Sequence, residues 1–141
     1  MKLTIPKTCN WVEARAKCSI DQIFIALREV VDSDVKTMQS IASTTRAAVD
    51  DVSMSLATDT KFIVTGRRDP GGVFDGNSVV FERAIGRIVV KDGRSQGTMF
   101  DVQPALCIDG ECRLELVGGN GDALELWQVS RKALENLFFN R

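Results

Sequence analysis

One stretch limits the possible folds more than any other. From Ile20 onward, Ile23, Phe24, Leu27, Val30, Val31, Val35, Met38 and Ile41 recur at intervals of three and four. This spacing draws a single apolar stripe along a helix of several turns. Ser19-Ile20-Asp21-Gln22 opens it with the S-x-x-Q pattern of a capping box, and Asp21 places an acid in the first turn, where the helix dipole favours it. Asp32-Ser33-Asp34 offers a point where the helix can break and a second segment can be capped. A long helix with one greasy side must lay that side on something.

Beyond Asp50 the period changes from helical to alternating. Val52, Met54 and Leu56 alternate with Ser53 and Ser55, and Thr58-Asp59-Thr60 reads as a turn into Lys61 to Thr65. The spacing predicts a hairpin, with helical continuation through 46–56 as the alternative. Gly66 to Asn77 holds Pro70 and several glycines and reads as a loop or a long hairpin connection. Ser78 to Lys91 reads as one long strand with a bulge at Gly86, closed by Asp92-Gly93. Thr98 to Gln103, Cys112 to Val117 and Ala123 to Gln128 supply three more strands, and Ser130 is placed as the cap of a short C-terminal helix with Ala133, Leu134, Leu137 and Phe138 on its apolar side. Asn10 to Cys18 alternates too, which predicts an additional strand ahead of the long helix.

Strand runs joined by short turns imply an antiparallel meander. The expected fold is therefore α+β: a curved antiparallel β-meander packed on one long N-terminal helix, with a short C-terminal helix, in a single domain spanning 1–141. Cystatin-like, cone-shaped and hot-dog folds share this general arrangement, an analogy that carries no functional weight.

The functional reading starts from what is missing. The 141 residues contain no histidine and no tyrosine. Ser-His-Asp and Cys-His machinery is thereby excluded, as are His-containing zinc sites, and proton transfer near neutral pH falls to carboxylates, lysines or cysteines. The net charge of −1 is spread evenly, which argues against nucleic acid as a partner. No apolar run is long enough to cross a bilayer, and Met1 to Lys7 lacks the apolar core of a signal peptide. These features lead to the expectation of a cytoplasmic protein with its four cysteines reduced.

Cys107 and Cys112 flank Asp109-Gly110, which suits a tight hairpin turn. A two-residue turn places the two thiols opposite one another, with Cα atoms roughly 4.5 Å apart. Reduced, they are half-buried small side chains; oxidised, they form a switch. Leu106, Pro104, Val102 and Phe100 alternate out of phase with Cys107, so either Pro104 marks a bulge that restores the register or the strand ends before Cys107. Neither this spacing nor that of Cys9 and Cys18 is a standard zinc motif, and no metal or other cofactor is expected. Gly118-Gly119-Asn120-Gly121-Asp122 lacks the acid two places after the last glycine and the tandem copies of a calcium repeat, so it is read as a hairpin loop.

Two candidate anion sites remain. Arg67 and Arg68, followed by Asp69-Pro70-Gly71-Gly72, combine planar donor forks with glycines that allow close approach, although the segment is no Walker A loop. The other is Arg83. On the strand from Ser78, Val79, Phe81, Arg83 and Ile85 share the bulkier face, so Arg83 is expected to turn toward the core, either to bind an anion in a cavity or, as the structural alternative, to form a salt bridge or snorkel to water from near the strand end. Trp11 and Trp127 fall beside charged neighbours and suit equally a subunit contact or packing beneath the terminal helix. Together these features lead to the expectation of a small, self-associating binding or accessory protein that takes a small anionic ligand between sheet and helix. A small cavity enzyme of the α+β cone type, working with carboxylates and arginines, is the alternative.

Overall fold

A computed structural model describes residues 10–41, 51–68, 75–119 and 121–139. Three helices, α1 (Trp11–Lys17), α2 (Ile20–Ile41) and α3 (Leu126–Phe139), accompany seven strands. The strands are β1 (Asp51–Thr58), β2 (Lys61–Arg68), β3 (Asp75–Ala84), β4 (Arg87–Asp92), β5 (Thr98–Leu106), β6 (Cys112–Leu116) and β7 (Ala123–Leu124). They form one antiparallel sheet in the order β1 to β7, each strand beside its sequence neighbour. The α+β meander expected from the periodicities is the fold observed.

The stripe on α2 is buried as its spacing requires: Ile23, Phe24, Leu27, Val31, Val35 and Met38 are all in the core. Ser19 Oγ accepts the Gln22 backbone N–H at 3.3 Å, and the helix runs through Asp32-Ser33-Asp34 without a break. Asp34 is used otherwise, accepting a 2.6 Å hydrogen bond from Ser130 Oγ on α3. Opposite α2, alternate residues of the strands supply Val52, Phe62, Val64, Val79, Phe81, Ile88, Val90, Val102 and Leu114. Phe62 stacks on Phe81 with ring centroids 4.6 Å apart, and Phe24 leans on Phe62 at 5.3 Å. Lys132 reaches from α3 over the Phe100 ring, adding a cation–π contact at 5.4 Å to the centroid.

Several local expectations are overturned. Asn10 to Cys18 is not a strand. Asn10 Oδ1 accepts the N–H groups of Val12 and Glu13, and the Cys18 N–H closes the far end onto Ala14 and Arg15 carbonyls, so the segment is the short helix α1. None of its residues is buried, so no sheet face enforced the alternation, and glutamate, alanine, arginine and lysine followed their helical preference. Ser78 to Lys91 is two strands. Ile85 and Gly86 form the two-residue link of a hairpin closed by Ala84 and Arg87, with Gly86 at φ +71° and Ile85 fully exposed. The turn still returns Ile88 and Val90 to the face of Phe81, as the bulge would have done. The second and third strands also reach further into the Gly66 to Asn77 stretch than expected, while Asp69-Pro70-Gly71-Gly72 lies outside the described residues.

Ala123 to Gln128 contains only two strand residues, because α3 begins at Leu126. Gln128 causes this: its Oε1 accepts the Glu125 backbone N–H at 2.7 Å, the reach-back half of a capping box. Ser130 is consequently a buried residue inside the helix rather than its cap.

The core location of α2 gives a direct test. Leu27→Ala should lower unfolding free energy by about 2–5 kcal/mol, because Leu27 is fully enclosed and the helix and sheet cannot collapse around the void. Urea denaturation followed by far-ultraviolet dichroism measures it; a loss under about 1 kcal/mol would contradict the helix-on-sheet packing.

Candidate functional site

The space between α2 and the sheet is filled by apolar side chains. Ser130 is the one buried polar residue among those described, and its hydroxyl is satisfied by Asp34. The anion site must therefore be sought at the margins of the fold.

Arg83 occupies the margin. It follows Val79 and Phe81 on the core-facing side of β3, but it stands at the open end of the sheet, where its N–H donates to the Thr60 carbonyl at 2.8 Å. Its guanidinium pairs with Asp21 in the first turn of α2. The side chains are 32% and 64% exposed, so the pair bridges helix and sheet at the rim rather than in the interior. The strand ends one residue later, so Arg83 sits at the rim of the sheet rather than in the interior. A cleft of about 400 Å³ adjoins the pair, lined by Ile20, Asp21, Thr60, Arg83, Ile85 and Gly86.

Arg67 is remote from Arg83. It lies at the opposite end of β2, opposite Gly76, and is 3.5 Å from Asp51 on β1. The backbone of Arg68 pairs with Asp75, and its side chain lies outside the described residues. Six residues of strand separate the positions, roughly 20 Å at the usual rise. The arginines do not converge on one ligand.

The outer face of the sheet is a lattice of cross-strand ion pairs. Glu82 is 3.3 Å from Lys61 and 3.6 Å from Lys91; Arg87 reaches Asp101 at 3.1 Å; Gln103 donates to Glu115 at 2.6 Å. Arg113 serves both Asp109 and Glu125 at 2.9 Å. The hydrogen bonds from Arg113, aided by the Glu111 backbone N–H, hold the Asp109 carboxyl below the ordinary aspartate range. The same contact, with Cys107 and Glu125 behind it, raises the Arg113 pKa and keeps the guanidinium charged. Each side chain here has a protein partner, which suits a solvated face better than a reactive one.

The cysteines are arranged differently from the expectation. Cys112 is bonded to Cys18, across 94 residues of sequence, and Cys107 is a free thiol. The turn register explains the change. Cys107 O accepts from Gly110 N and Cys107 N donates to Glu111 O, so three residues, not two, form the loop, with Gly110 at φ +84° in the left-handed position. Leu106 pairs with Cys112, and the phase of Val102, Pro104 and Leu106 needs no bulge. Cys112 is thereby placed on the core-facing side, where Cys18, at the junction of α1 and α2, meets it. The expectation of two reduced thiols side by side is wrong for this pair. Cys9 lies outside the described residues, and among those described no group of three or more cysteines and carboxylates is gathered in a metal-binding cluster.

An apolar opening among the described residues was not legible in the sequence. Between the second half of α2 and α3 runs a groove of about 410 Å³, floored by Met38, Leu134 and Phe138 and flanked by Ile41, Trp127 and Phe139. Trp127 is 56% exposed and Phe139 45%. Thr37, Asp34, Ser130, Arg131 and Glu135 form its polar margin, and Arg131 bonds Glu135 at 2.8 Å along the helix. Trp11, placed by its alternation on the sheet, stands instead on α1 and is likewise exposed. A comparison with known protein families, with curated proteins and with solved structures finds no match.

The rim position of Arg83 sets its energetic role. Arg83→Met, which keeps the stem, should cost about 1 kcal/mol or less in urea denaturation, as for other solvent-screened pairs. A loss of about 3 kcal/mol or more would mean that the pair is desolvated after all.

Proposed function

We propose that this protein is a non-catalytic binding module that self-associates through the groove between α2 and α3. The observation that carries this reading is the set of large apolar side chains left uncovered there. Trp127 and Phe139 come from the first and last turns of α3, and Ile41 from the end of α2. An apolar channel rimmed by polar groups is the usual form of a protein contact site, and tryptophan is enriched at such sites.

A second copy of the chain is the occupant the charges favour. In a two-fold contact the same patch meets itself, so the apolar floor and the mixed-charge margin of Asp34, Arg131 and Glu135 are presented by both copies. A net charge of −1 leaves little long-range repulsion to oppose the approach. No helix among the described residues is long and apolar enough to cross a membrane. The disulfide is of the kind that persists in an oxidising compartment, which weighs against the cytoplasmic location expected above.

Anion binding at Arg83 is the second reading, supported by the adjoining cleft and by a guanidinium whose partner among the described residues is a single exposed aspartate. A ligand carboxylate or phosphate there competes with Asp21 for one planar fork. The cavity-enzyme alternative has less support, because the helix–sheet interior is apolar and the described carboxylates of the outer face are committed to ion pairs. Nucleic acid is likewise disfavoured, since Lys61 and Lys91 share Glu82 and Arg87 and Arg113 are each paired with an acidic neighbour.

Light scattering after size exclusion tests the main reading. The wild-type chain should show a concentration-dependent mass twice that of the monomer, and Trp127→Glu should yield a folded monomer at all concentrations. A wild-type chain that stays monomeric up to its solubility limit would overturn the proposal.

A further inference from the structure

We infer that the Cys18–Cys112 disulfide is a redox-operated latch that holds α1 on the domain and lets it unfold locally when a dithiol reduces it. The inference rests on how little else among the described residues attaches α1. The helix has seven residues, none of them buried, and its caps, Asn10 and Cys18, satisfy only its own backbone. A helix of two turns is not stable in water by itself, since nucleation is too costly for so few hydrogen bonds. Its apolar residues contribute no anchor, because Trp11 and Val12 both face solvent. Its C-cap Cys18 is the one point held, buried and covalently bonded to β6.

The unlatching has a natural boundary. Immediately after Cys18, Ser19 caps α2 through its own side chain, and α2 is held by six buried residues that owe nothing to the disulfide. Breaking the bond therefore frees residues 11–17 while leaving the helix-on-sheet core in place. Arg15 and Lys17, both exposed on α1, then belong to a mobile arm rather than to an ordered rim.

The chemistry is an ordinary thiol–disulfide exchange with an external partner. A thiolate of the dithiol attacks one sulfur of the pair and breaks the S–S bond, and its second thiol resolves the mixed disulfide. Two electrons and two protons pass to the protein, Cys18 and Cys112 end as thiols, and the reductant leaves as a disulfide. A pocket of about 410 Å³ lined by Arg15, Cys18, Ser19, Gln103, Pro104 and Leu106 opens beside the bond and offers the approach. Cys107 is not the internal attacker: it lies in the turn beyond Leu106, out of register with Cys112, and its sulfur rests 3.8 Å from the Ala105 carbonyl on its own strand.

Limited trypsin digestion and amide hydrogen exchange of the full chain, with and without dithiothreitol, test the latch. Reduction should speed cleavage after Arg15 and Lys17 by about tenfold or more and remove exchange protection from Ala14 to Cys18, while amides around Leu27 and Phe81 keep theirs. The Cys18→Ser, Cys112→Ser double variant should behave as the reduced wild type without reductant and be indifferent to its addition. Equal cleavage rates in the two redox states would overturn the inference. So would a loss of protection that spreads at once through α2 and the sheet, or an unreduced chain in which Cys18 is open to alkylation after unfolding. None of these outcomes depends on whether the protein self-associates.

Discussion

The contact of the α2 stripe with the inner face of the sheet is the interaction on which the rest of the structure depends. Leu27 and Val31 are fully enclosed against Phe62, Phe81, Ile88 and Val90, and the Phe24–Phe62–Phe81 ring series ties the helix to two adjacent strands. An antiparallel meander has one face to bury, and without a helical layer its alternate valines, isoleucines and phenylalanines would stay in water. The helix is equally dependent on the sheet, because its polar side alone cannot hold 22 residues helical. Everything that distinguishes the molecule is attached to the margins of this sandwich.

Three margins differ in character. At the end where β3 stops, Arg83 and Asp21 clamp the start of α2 to the sheet in partial solvent, a geometry that contributes little stability but fixes where the helix begins. Along the outer face, cross-strand pairs such as Lys61–Glu82–Lys91 cover the apolar surface around Val80 and Val89 with the stems of long charged side chains. Between α2 and α3 the aromatic side chains of Trp127 and Phe139 are largely exposed beside the buried Met38. Charged cover on one surface and apolar exposure on another is why the groove, rather than the sheet face, carries the proposed association.

The disulfide adds a different kind of constraint. It joins residues far apart in sequence, so it restricts the unfolded chain strongly, yet in the folded state it secures only a helix with no buried residue. Core and bridge therefore both contribute to global stability, while local order at α1 rests on the bridge.

The amino-acid sequence by itself determined the helix from Ser19, the switch to a period of two, the hairpin at Thr58 to Lys61 and the inward set Val79, Phe81, Ile88 and Val90. Each is a repeating pattern whose period is a property of the backbone geometry, so it survives without knowledge of neighbours. What only the tertiary structure decided are the places where one residue of register matters or where no face was buried to enforce a pattern. Asn10 to Cys18 alternates but, its last residue Cys18 apart, buries nothing against the sheet, so capping and propensity made it a helix. One extra residue in the turn before Glu111 moved Cys112 from a hairpin partner of Cys107 to a bridge with Cys18. Gln128 began α3 four residues before Ser130, which turned Trp127 from a strand residue into the wall of a groove. Turns, caps and disulfide pairing depend on single residues and on segments brought together from far along the chain, and periodicity holds no record of either.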